Sequence, residues 1–111
     1  MNRGDVVVVD WQYSDRTGSK LRPAIVVQAD FLNGVIDDTV LVQVTGTTRS
    51  AVTEVVLDPR HEYRAGLTRL SFVMCNNLLT IDQTLIHRKI GELSAAALLR
   101  IEDCLKTALS R

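Results

Sequence analysis

The chain has 111 residues, a hydrophobic share of 46%, and thirteen basic residues against thirteen acidic ones. That length suits one domain with a sizeable core and leaves no room for a second. The apolar share excludes a disordered chain, and the balanced charge means that any nucleic-acid site has to be a local basic patch.

Asp5–Asp10 (DVVVVD) is a β-branched run between two charges and predicts a strand partly buried on both faces. Trp11–Leu21 is polar, carries Gly18 and reads as a loop. Pro23–Gln28 predicts a second strand, with the proline at its first position because proline cannot donate to a ladder. Ala29–Asp38 holds Asn33-Gly34 and an acidic pair, the chemistry of turns or a short helical excursion. Thr39–Val44 alternates and predicts a third strand; Gly46–Ser50 is a small connector, and Thr53–Leu57 a short strand closed by Asp58-Pro59.

Arg60–Arg69, with Gly66, reads as a loop. Leu70–Leu79 is apolar with two asparagines inside, which predicts a strand with a bend, and Leu85–Ile90 is a further short strand. The tail then changes period. Ser94 is an N-cap, and Leu98, Ile101, Leu105 and Leu109 recur at helical spacing. Short strands followed by one helix predict a mainly β protein, a small barrel capped by a C-terminal helix.

Cys75 and Cys104 lie in apolar segments, where buried free thiols are expected, and they share no zinc-type spacing with His61 and His87. Both histidines sit among charges and read as surface residues. With no span-length apolar run and no signal-peptide pattern, the expected location is the cytoplasm. No metal or other cofactor is expected.

Two places could carry chemistry. Arg22 precedes proline, which biases its backbone to an extended conformation and fixes where the side chain emerges. A guanidinium fork suits a phosphate or carboxylate, although by composition alone a surface ion pair with Asp15 or Asp30 is the favoured explanation of the residue type. Ser19 and Lys20 stand just before it. The other place is Thr45-Gly46-Thr47-Thr48-Arg49, at the end of the third strand. Hydroxyls, free N–H groups and a glycine there make an oxyanion or phosphate site, or else a plain turn.

Arg3-Gly4-Asp5-Val6, Gly18-Ser19, Arg22-Pro23, Asn33, Val44-Thr45, Gly66-Leu67, Ser71, Leu79-Thr80-Ile81-Asp82 and Ile90-Gly91-Glu92-Leu93-Ser94 occur in that order. Together they resemble the MazF/PemK family of toxin endoribonucleases over nearly the whole chain. The resemblance implies an SH3-like small barrel (CcdB/PemK-like) with a C-terminal helix, assembled as a homodimer. It implies metal-independent, sequence-selective cleavage of single-stranded RNA to 2′,3′-cyclic phosphate and 5′-hydroxyl ends. It implies a cognate antitoxin, a small acidic protein with a flexible tail. The family's functional arginine falls on Arg22 and its threonine on Thr45. Ser19, Lys20, Gly46, Thr47, Thr48 and Asn77 would contact RNA, and the loop Ser14–Lys20 would border the groove. Where relatives often carry Gln-Ile-Arg, this chain has Asn77-Leu78-Leu79. Two alternatives share the fold: a non-catalytic CcdB-like binder of DNA gyrase, and a degenerate relative that only binds an antitoxin.

Overall fold

A computed structural model describes residues 1–12, 18–48 and 52–110. Its strands are β1 (Asp5–Gln12), β2 (Ser19–Val26), β3 (Asp38–Thr45), β4 (Glu54–Leu57), β5 (Ser71–Asp82) and β6 (Arg88–Glu92). One helical turn, α1 (Asp30–Asn33), precedes β3, and the helix α2 (Ala95–Ser110) closes the chain. All pairings are antiparallel, in the order β4-β5-β3-β2-β1-β6. This is the expected mainly β fold with a C-terminal helix, a curled six-stranded sheet.

The central strands are apolar on both faces, as DVVVVD predicts. Val6, Ile25, Val42, Val44, Val73 and Cys75 form one core with Ala97, Ile101 and Cys104 of α2. On the other face Val7, Val9, Trp11, Ala24, Val26 and Leu41 form a second core, covered by Leu79, Ile81 and Ile86. Leu79 therefore serves packing. Trp11 and Gln12 belong to β1 and Ser19–Leu21 to β2, contrary to the loop expected over Trp11–Leu21. Trp11 continues the Val7, Val9 alternation and is buried with them, and burial of an indole outweighs its polar flanks.

The bend expected near the two asparagines is present. Gln43 of β3 pairs with Met74 but Val42 pairs with Leu78, so Cys75, Asn76 and Asn77 are extra residues on β5. The sheet edges do not pair with one another; a loop joins them. Glu92 N–H donates to Arg64 C=O at 2.9 Å. A Cβ on Gly91 would lie 2.3 Å from Arg64 O, and one on Gly66 (φ +75) would lie 2.0 Å from Ile90 O. Glycine at both positions lets loop backbone press onto β6 backbone.

Buried Glu62 of that loop accepts from Ser94 N at 2.9 Å and Ser94 Oγ at 2.7 Å. Ser94 Oγ in turn caps α2 by accepting from Ala97 N at 3.1 Å, the expected N-cap. The buried stripe of α2 is Ala97, Ile101 and Cys104, flanked by Leu98, Leu105 and Ala108. Leu109 is 67% exposed and outside it, a correction to the stripe expected from spacing. At about 100° per residue Leu109 lies about 120° around from Ala97, past the edge of the buried arc.

Both cysteines are free and buried, as expected. Far apart in sequence, they meet in the core between β5 and α2. Burial, then contact with Cys104, pushes the Cys75 thiol well above its ordinary pKa, so it packs as an inert apolar group.

Candidate functional site

Val27 N–H donates to Val40 C=O at 3.0 Å, which identifies the rungs of the β2–β3 ladder that exchange hydrogen bonds. Every second residue back along β2 faces β3 in the same way: Val27, Ile25, then Pro23. The register Ala24–Gln43, continued by one residue, puts Pro23 opposite Val44. There the proline has no N–H to give. The ladder stops at Ala24–Gln43, and the proline sits in the interior of β2 instead of opening it, a correction to its expected place. On its other side Pro23 still pairs with Val8.

Beyond that point the strands enclose a cleft of about 390 Å³. Four consecutive residues of β2, Lys20, Leu21, Arg22 and Pro23, line it, as do Val44, Thr45 and Gly46. One strand face would contribute alternate residues. Consecutive residues mean that the cleft lies in the gap between separated strands. Its remaining walls are Gly66–Arg69, Ser71, Arg88 and Ile90, with Val8 at the base.

The register continued by two residues sets Arg22 opposite Thr45, on the same side of the pleat. Thr45 Oγ1 accepts from Thr47 N–H at 3.3 Å, which leaves its O–H free to donate. Gln43, two residues before Thr45 and on its side of β3, accepts from Asn77 Nδ2 at 2.6 Å. Asn77, expected among the RNA contacts, is exposed on the bulge of β5 and does not line the cleft.

Lys20, Arg22, Arg69 and Arg88 all line the cleft, and no acidic residue does. Among the described residues none of the four has a carboxylate partner. Elsewhere among the described residues, Arg3 pairs with Glu102, Arg60 with Asp58, Arg64 with Glu92, and Lys89 with Asp5 and Glu92. The ion pair weighed for Arg22 with Asp30 is not formed; Asp30 Oδ1 accepts from Arg3 N instead, at 2.6 Å. Asp15 lies outside the described residues. A chain with no net charge thus concentrates unpaired cations in one cleft, whose low-dielectric walls focus their field on an entering anion.

Of the residues expected in the site, Lys20, Arg22, Thr45 and Gly46 come together in the cleft. Ser19, Thr47 and Thr48 are exposed near it without lining it. The Thr48 hydroxyl donates to Glu54. Arg49 and residues 14–17 of the first polar loop lie outside the described residues. His61 is exposed and His87 is half exposed, near Asp10 at 3.5 Å; neither lines the cleft. Among the described residues no group of His, Cys, Asp and Glu is arranged to hold a metal ion. No helix is long and apolar enough to cross a membrane.

Sequence reasoning missed Arg69 and Arg88, which nothing local distinguishes from other surface arginines.

A curled antiparallel sheet with one packed helix defines the class of molecule: a small mainly β protein, here with a cationic cleft between two parted strands. The model of the PemK-like, MazF-like toxin family of type II toxin–antitoxin systems matches residues 2–109, and the chain belongs to that family. Solved structures agree. An endoribonuclease from a mycobacterial species in complex with its cognate antitoxin is 28% identical, with a TM-score of 0.81 over 98% of this chain and 94% of the other. A mycobacterial endoribonuclease is 27% identical (TM-score 0.79; 98% and 90% covered). The Mycobacterium tuberculosis toxin MazF-mt6, at 24% identity, shares the fold (TM-score 0.76; 94% of each chain). No curated protein matches the chain in sequence.

Proposed function

We propose that this toxin is an endoribonuclease that cuts single-stranded RNA between Arg22 and Thr45, using the 2′-OH of the substrate itself as nucleophile. The observation that carries this reading is the gathering of Lys20, Arg22, Arg69 and Arg88, all without carboxylate partners among the described residues, around the free hydroxyl of Thr45. The similarity to a mycobacterial endoribonuclease with its antitoxin supports it.

The 2′-oxygen attacks the neighbouring phosphorus while the bond from phosphorus to the 5′-oxygen breaks. The 2′-proton passes to a base and the leaving 5′-oxygen gains a proton, giving 2′,3′-cyclic phosphate and 5′-hydroxyl ends. RNA brings its own nucleophile, so the protein needs donors fixed where negative charge develops on the phosphate oxygens. Arg22 supplies a planar pair of donors and Thr45 an O–H whose lone pair is already held by Thr47. The reaction as written uses no metal. An acidic antitoxin segment would occupy the same cleft by the same charge complementarity, and a homodimer is the expected assembly.

The test is incubation of a mixed-sequence single-stranded RNA with the purified protein in EDTA. Products with cyclic-phosphate ends are expected from the parent and not from Arg22→Ala. No such products from the parent, or equal cutting by Arg22→Ala, overturns the reading. A gyrase-supercoiling assay in parallel scores the CcdB-like alternative.

A further inference from the structure

Gly46 follows Thr45, and its missing side chain is where Arg69 sits. A Cβ on Gly46 would lie 2.9 Å from Arg69 Nη2 and 3.0 Å from both Cζ and Nε. A point nearly equidistant from three atoms of one planar group lies over the face of that plane. The guanidinium of Arg69 is therefore laid flat on Gly46, and its N–H donors lie in that plane and not towards the glycine. None of them has a protein acceptor among the described residues. The backbone of Arg69 is held in turn, because Ser71 Oγ donates to Arg69 O at 2.9 Å. The group that the missing side chain of Gly46 admits is an arginine of the chain itself.

We propose that Arg69, seated on Gly46, is a subsite for a second phosphodiester of the strand whose scissile phosphate lies between Arg22 and Thr45. This rests on the RNA-cleavage reading for the identity of the strand, while the anion site itself rests on Arg69 and Gly46. A methyl at position 46 would push the guanidinium off this seat by a few tenths of an ångström. The φ of Gly46 is outside the left-handed region, so alanine is compatible with its backbone and acts through Arg69 alone. A phosphate away from the reacting bond is held equally in the ground and transition states, so this contact acts on KM and not on kcat.

The experiment compares the parent with Arg69→Gln, Gly46→Ala and the double variant. Cleavage of single-stranded RNA is followed across a salt series, and binding of inorganic phosphate is followed by the amide NMR shift of residue 46. Arg69→Gln is expected to raise KM about tenfold with kcat unchanged. It should also reduce the salt slope by about 0.7, the loss of one phosphate contact on a single strand. Gly46→Ala should shift both in the same direction by a smaller amount, while keeping every charge. The double variant should be no worse than Arg69→Gln, since the methyl acts only through Arg69.

If the parent cuts RNA and Arg69→Gln leaves KM and the salt slope unchanged, the subsite is wrong and the function stands. If the parent cuts no RNA but binds phosphate in an Arg69-dependent manner, the subsite stands and the function falls. If it does neither, both fall. Additive losses in the double variant overturn the seating of Arg69 on Gly46. Both positions are exposed, so the variants are expected to fold, and thermal unfolding checks that they do.

Discussion

Arg22 and Thr45 stand opposite one another two residues beyond the last rung of the β2–β3 ladder, Ala24–Gln43. Their side chains share one side of the pleat, and both line the cleft that opens where the ladder stops. The guanidinium has no carboxylate partner among the described residues, and the hydroxyl has its acceptor side occupied by Thr47 N–H.

Arg22→Ala is expected to lower kcat by about 10²–10³ or more, the scale for removing one donor to a developing oxyanion. Thr45→Val, which keeps the shape and removes the O–H, should lose roughly tenfold to a hundredfold, and Thr45→Ser should keep most of the activity. Because Arg22 supports no ion pair among the described residues, its loss should leave the urea midpoint in place. Cleavage rates with unfolding curves check both halves, and an Arg22→Ala protein that is inactive because it is unfolded would refute the assignment.

Pro23→Ala restores an N–H facing Val44 across the gap. One more rung should form, narrowing the cleft and displacing Arg22 from Thr45. The new amide at position 23 is expected to be protected from hydrogen exchange, and cleavage to fall roughly tenfold to a hundredfold. Free exchange with full activity would show that the proline does not part the strands.

Gly91→Ala places a Cβ 2.3 Å from Arg64 O and 2.3 Å from Ala65 C, backbone atoms that have nowhere to move. The expected loss is about 3 kcal/mol or more in urea unfolding. Gly34→Ala is the control. Its Cβ would meet Asp30 O at 3.7 Å and Phe31 O at 3.8 Å, ordinary contacts, and a change within about 0.5 kcal/mol is expected. Equal effects at the two glycines would mean that the loop does not close the sheet.

Acid should expose the turn after β4. The hydrogen bonds of Arg60, from its side chain and then its backbone, hold the Asp58 carboxyl at about 2, below its ordinary 3.8. A lowered carboxylate contributes stability that is present above the unfolded value and lost as pH falls through the folded one. Between about pH 4 and pH 2 the urea midpoint of the parent should therefore drop towards that of Asp58→Asn. A gap between the two proteins that stays constant down to pH 2 would show that this turn is not held by the charge.

The strands around DVVVVD, the bend near Asn76-Asn77 and the cap at Ser94 were legible because each is a local pattern: β-branching, an interrupted apolar run, a hydroxyl before a helix. Trp11 was not, since its polar neighbours outvoted it until β2 supplied a partner strand. Pro23 was read correctly as an obstacle to pairing but placed at the start of its strand; inside β2, one edge of the residue pairs with β1 while the other refuses β3. Leu109 shows how a period of four drifts off a buried arc within one helix.

Local chemistry along the chain was enough to establish a mainly β fold with one capped helix, and to mark Arg22-Pro23 and Thr45-Gly46 as unusual, because residue type and spacing act over a few positions. Which charges remain unpaired could not be read that way. Arg69 and Arg88 look like any surface arginine until the curled sheet carries them to the same cleft as Arg22, while Asp30 goes to Arg3 and Glu92 to Arg64. Coulombic and hydrogen-bonded partners are set by distance in space, and here the sheet alone determines which cations are left facing an open cleft.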